Sequence, residues 1–288
     1  MAPVPDDDAA LARAGDPGRA PVRAQPGDPA VRAPSPASVV RWVGVGATLV
    51  AAVALLVAAT VGYAALLAVT LVLALVVAWG WPPVAHSHTP DATSVVLAVA
   101  AVAIVLSAAR DDLEWLAAAV AFGILLSFAA QLIRRPPREG LVMTLLASFG
   151  GLVVIASGTS VVVAANSTIG AAVAAVGGAA VAAALVADVL TGVVSRPDRD
   201  ERVVGAALAG VALGAGLAGA LVAAAVVGEV TAGAAALVGA VVGVVSWGLR
   251  RVLVLEPAMA TLRGQAGAAV ASVLIVGAVL HAATTVLT

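Results

Sequence analysis

Between Val39 and Trp81 the chain runs for 43 residues with a single charge, Arg41, and runs of this kind recur to the C-terminus. A helix needs about 20 apolar residues to cross the roughly 30 Å hydrocarbon core of a bilayer. In lipid, a spanning backbone has to satisfy its own polar groups, which leaves helices or closed barrels. These runs are two to five times the length of a barrel strand, so the chain is expected to be an all-α integral membrane protein. Composition agrees: 62% of residues are hydrophobic and 11% charged, against roughly 45–50% and about 25% in soluble domains.

Charges and Pro clusters cut the apolar region into about nine spans. Val39–Trp81 holds two, divided near Thr60–Gly62. Ser94–Ala109 and Trp115–Ile133 are the third and fourth. Leu141–Val194 holds two more, turning at AANSTIG (164–170). Val203–Gly228, Val230–Leu249 and Ala266–Leu287 complete the set. The count becomes eight if the last is not fully inserted. Residues 1–38 differ in kind: eight of the 15 prolines lie there, with four Arg, five Asp and no long apolar run. A signal peptide is therefore not expected there. Such a segment cannot bury enough surface to offset its ordering entropy, and a disordered tail is expected. The domain reading is therefore tail 1–38 and helical domain 39–288.

Arginine sets the orientation, because short cytoplasmic loops carry the basic excess. With the N-terminus inside, nine spans put 14 of the 15 arginines on the cytoplasmic side and leave Arg110 outside. The C-terminus is then extracytoplasmic. Trp42, Trp79, Trp81, Trp115 and Trp247 all fall at predicted span ends, where an amphipathic ring prefers the headgroup level.

Few residues could carry chemistry. An ionisable group at membrane depth is costly and invites a functional reading. Asp188, two turns before Arg196, is a candidate proton or cation ligand. Glu229 is another, although it also fits an outer turn. Ser157, Thr159, Ser160 and Asn166, with Ser167 and Thr168, form the most polar patch within the apolar region. They could line a cavity or satisfy backbone groups. Arg134, Arg135, Arg138, Arg196, Arg199, Arg202, Arg250 and Arg251 are candidate contacts for anionic lipid. His86-x-His88 lacks the further ligands a metal site needs, so no metal is assigned and a solvated loop is the better reading. Asp111, Asp112 and Glu114 read as a charged turn. No cofactor motif appears, and a net charge of −1 gives no sign of nucleic-acid binding. Cysteine chemistry is excluded, since the chain has none. Gly210-x-x-x-Gly214 and Gly239-x-x-x-Gly243 allow close helix approach, within the subunit or across a dimer.

The stretches GWPPVAHSHTPDATSVVLAVAAVAIVLS (80–107) and LEWLAAAVAFGILLSFAAQLIRRPPREGLVMTLLAS (113–148) resemble a group of uncharacterised multi-span membrane proteins of high-GC actinobacteria. The shared features are a Gly-Trp-Pro turn after a second span and a span ending in SFxxQLxRR. The resemblance covers about a quarter of the chain. It implies a cytoplasmic membrane and no particular activity.

Three function classes follow: a permease for a small uncharged or cationic solute, an accessory subunit of an envelope assembly, or a lipid-modifying enzyme. The permease reading expects Asp188 or the 157–168 patch to face a cavity. The accessory reading expects a solid bundle. The enzyme reading expects Arg134, Arg135, Arg196 and Asp188 to converge. Partners are expected to be the bilayer and either a second copy or another membrane protein.

Overall fold

The computed structural model describes residues 42–110, 113–133, 140–194 and 201–288. Every regular element among them is helical: α1 (Trp42–Val61), α2 (Tyr63–Val84), α3 (Pro90–Ser107), α4 (Leu113–Ile133), α5 (Leu141–Ala164), α6 (Gly170–Val194), α7 (Glu201–Val227), α8 (Ala232–Leu253), α9 (Leu262–Leu274) and α10 (Gly277–Leu287), with short 3₁₀ turns at 108–110 and 257–260. Among the described residues, eight segments are long and apolar enough to cross a membrane, α9 and α10 counting together as Leu262–Leu287. Helix α6 occupies the place of the remaining expected span; its described apolar stretch is Gly170–Val186. The tail 1–38 lies outside the described residues. Large side chains such as Val50, Leu125 and Leu237 are about two-thirds exposed, an arrangement suited to lipid rather than water.

Lipid tails are as apolar as leucine, so helices in a bilayer associate through close packing and hydrogen bonds. Small residues mark the crossings. A Cβ on Gly80 would lie 2.5 Å from the Gly267 Cα, which brings α2 and α9 backbone to backbone. A Cβ on Gly243 would lie 2.7 Å from the Ala212 carbonyl oxygen, and Gly239 faces Gly216 across the same α7–α8 crossing. The second Gly-x-x-x-Gly pair thus serves packing within the subunit. Gly210 and Gly214 have no atom within 4 Å of their Cβ positions. Helix α1 packs against α6 and α9, and α5 against α2, α3 and α10.

Three boundaries differ from the sequence reading, each for a local reason. Helix α2 runs on through Pro82 and Pro83 to Val84 instead of stopping at Trp81. A proline in the last turn forfeits one intrahelical bond and frees the carbonyl four residues back. Pro83 frees Trp79, whose carbonyl accepts from Arg263 Nε at 2.7 Å. Helix α3 begins at Pro90, a favoured first-turn residue, rather than at Ser94. The last span begins at Leu262 and is kinked at Ile275–Val276. Ser157 of α5 is wedged into this break. Its hydroxyl donates to the Ile275 carbonyl at 2.7 Å and accepts from the Ala278 N–H at 2.9 Å. A side chain inserted into the i→i−4 ladder bends a helix in this way.

Candidate functional site

Among the described residues, those singled out in the sequence do not gather into one site. Thr159 donates to the Ile155 carbonyl and Ser160 to the Ser157 carbonyl, so both hydroxyl protons return to their own helix. Ser157 is held by the α9–α10 kink. The neighbouring void measures about 10 Å³ and is lined by groups such as Leu66, Val161, Leu274 and Leu280. Asn166 is exposed in the α5–α6 turn. Glu229 is exposed in the turn between α7 and α8, just before Thr231, which caps α8 through the Ala234 N–H.

Arg251 is exposed at the end of α8. Arg250 is partly buried there and donates to Ser246 Oγ at 2.7 Å. Both stand where a cation complements the helix dipole. Arg134, Arg135, Arg138, Arg196 and Arg199 lie outside the described residues, as do the side chains of Asp188 and Arg202. The convergence expected of an enzyme falls on those same residues.

At the α2–α3 end of the bundle the polar groups gather instead around two connections. Arg263, at the start of α9, donates to the Trp79 carbonyl, to Asp91 Oδ1 at 2.7 Å and to Ser94 Oγ at 2.7 Å. Its guanidinium stands 5.8 Å from the Trp79 ring centroid. His86, with φ of 56°, reaches Glu256 Oε2 at 2.7 Å. The His-x-His loop is therefore tied to the connection after α8. His88 instead covers Gly140 and donates its backbone N–H to Thr144. Trp81 turns inward and donates to the Ala147 carbonyl at 3.0 Å, so its N–H holds α2 to α5.

Beside these ties lies a cavity of about 260 Å³ between α3, α4 and α5. Its polar lining is Thr89, Thr93, Ser127, Gln131 and Ser148. Helix α4 buries only Leu116, Gly123, Ser127 and Gln131. The last three are spaced by four, which places them on one ridge of the helix. Gln131 is 8% exposed and its Oε1 is buried without a hydrogen-bond partner, as is Thr89 Oγ1. A buried acceptor left unmatched costs about 1–3 kcal/mol, so such groups call for an explanation. The rest of the lining is matched: Ser127 donates to the Gly123 carbonyl, Ser148 to the Thr144 carbonyl, and Thr93 pairs with Ser87.

Sequence reasoning passed over Gln131. The signal was present as Gly123-x-x-x-Ser127-x-x-x-Gln131, a small and polar ridge on an otherwise apolar helix. The Ser157 wedge had no local signal, because its partners lie more than a hundred residues away.

Compared with protein-family models, with curated proteins and with solved structures, the chain matches none.

Proposed function

We propose that this protein is a permease-like membrane protein whose solute site is the α3–α4–α5 cavity. The observation that carries the reading is a 260 Å³ space holding two buried polar atoms without partners. Small-molecule sites are concave and mostly apolar, with a few convergent polar groups, and this one has that character at small scale. The Arg distribution supports a cytoplasmic N-terminus, and on that reading the cavity lies toward the cytoplasmic face. The chain would then act in the cytoplasmic membrane.

The test is solute uptake by proteoliposomes, comparing the full-length protein with Gln131→Leu. Uptake of a small polar solute by the wild type and its loss in the variant is the expected result. Flux indifferent to Gln131 would remove the cavity from the pathway.

A second reading, an accessory subunit, is favoured by the uncovered Gly210 and Gly214 of α7. Such a face admits a close helix from another membrane protein or a second copy. Native mass spectrometry from gentle detergent distinguishes the two: a stoichiometric second protein supports the accessory role, and a monomer argues against it.

A further inference from the structure

We infer that the solute taken by this cavity is a small molecule rich in N–H or O–H groups, bound by an array of acceptors. The inference rests on the reading of the cavity as a solute site and specifies its chemistry.

It follows from accounting for protons. A serine hydroxyl has one proton and two lone pairs. The Ser127 proton goes to the Gly123 carbonyl at 2.8 Å and the Ser148 proton to the Thr144 carbonyl at 3.0 Å. Both bonds run four residues back along the hydroxyl's own helix. The only capacity either oxygen retains is as an acceptor. Gln131 Oε1 is an acceptor by nature and receives nothing. Gln131 lies one turn beyond Ser127 on the same ridge, and Ser148 faces both from α5. Thr89 Oγ1, also without a partner, can act either way. Two helices therefore present acceptors to one space in which the Ser127 and Ser148 protons are already engaged, leaving the Gln131 amide N–H groups and the Thr89 hydroxyl as its donors.

A solute with donors completes this set. One with acceptors alone leaves the same oxygens bare after they have lost water, and each unmatched group weakens binding by about tenfold. The volume holds about eight waters at roughly 30 Å³ each, so the solute is on the scale of a simple amide or a short polyol.

The test uses the full-length protein in detergent and saturation-transfer NMR with three probes. Acetamide carries two N–H groups, glycerol carries three O–H groups, and N,N-dimethylacetamide keeps the carbonyl of acetamide but has no donor. Acetamide or glycerol should bind, with N,N-dimethylacetamide at least about tenfold weaker. Gln131→Leu should lose the signal. Ser148→Ala, which removes an acceptor without filling the space, should weaken it, and both variants are checked for monodisperse elution.

Equal binding of the two amides, or unchanged acetamide binding in both folded variants, would overturn the inference. Its fate is separable from that of the permease. Donor-selective binding without uptake in proteoliposomes would defeat transport and leave the acceptor array standing. Gln131-dependent uptake blind to the amide protons would do the reverse.

Discussion

Two groups of buried hydroxyls sit in this bundle, and their surroundings differ. Around Ser157, Thr159 and Ser160 each proton meets a carbonyl, and the adjacent void is about 10 Å³. Around Ser127, Gln131 and Ser148 the hydroxyl protons are also engaged, yet 260 Å³ of space remains and an amide oxygen has no partner. The first arrangement holds helices together. The second holds unused hydrogen-bonding capacity against an open volume. A hydroxyl in a membrane helix is thus not a functional signal by itself, since the helix backbone can take its proton. What distinguishes a site is polar capacity left over where there is room to use it.

The comparison breaks first at Gly277. A Cβ there meets the Ser157 carbonyl, a backbone group that cannot step aside. Gly277→Leu should cost more than about 3 kcal/mol, beyond usual overpacking, and the protein should not elute as a folded species. Gly210→Leu, placed where nothing lies within 4 Å, should leave elution unchanged. A tolerated Gly277→Leu would mean that the kink region is loosely packed.

Ser157→Ala is the next largest effect. It deprives the Ile275 carbonyl of a donor and the Ala278 N–H of an acceptor, and should cost about 1–3 kcal/mol. Thermal unfolding in detergent reads the loss. If the wedge alone bends the span, the variant should also show a straighter α9–α10 by inter-spin distance measurement across residue 275.

Arg263→Gln removes ties to Trp79, Asp91 and Ser94 at the cavity end of the bundle. It should cost about 1–2 kcal/mol, given charge-assisted bonds partly open to water. Arg251→Gln, at an exposed position, should stay within about 0.5 kcal/mol. Equal effects of the two would reduce Arg263 to an ordinary surface charge.

Among the buried polar residues, the smallest stability effect is expected at Gln131. Replacing an unmatched buried amide by leucine removes its desolvation penalty, so Gln131→Leu should unfold within about 1 kcal/mol of the wild type or above it. The same change should abolish solute uptake. A residue whose loss leaves stability intact and activity absent is placed for function. A large destabilisation would move Gln131 into the structural group with Ser157.

Much of the architecture was legible in the sequence. The all-helical membrane class followed from run lengths alone, and the turns near Gly62 and at 164–170 fell where expected. Boundaries near proline were less legible, because the Trp79 carbonyl that Pro83 frees is met by Arg263 and Ser94 from other segments. The His86–Glu256 contact and the Ser157 wedge also depend on long-range pairing that no local pattern carries. The glycine pairs show the limit of motif reading. Gly239 and Gly243 pack against α7, whereas Gly210 and Gly214 have the same spacing and face open space. The cavity was half legible: its ridge on α4 is visible in the sequence, but the unmatched state of Gln131 is a tertiary fact.

The most direct test exploits the absence of cysteine from the chain, which makes any introduced thiol unique. Ser127→Cys and Ser160→Cys would be treated separately with a membrane-impermeant thiol reagent, in right-side-out and inverted vesicles. The account predicts that Ser127→Cys reacts from one face only and that Ser160→Cys stays unlabelled in folded protein. Labelling of Ser160→Cys as fast as Ser127→Cys, or a silent Ser127→Cys in folded protein, would contradict the division between a packed interior and an open polar cavity.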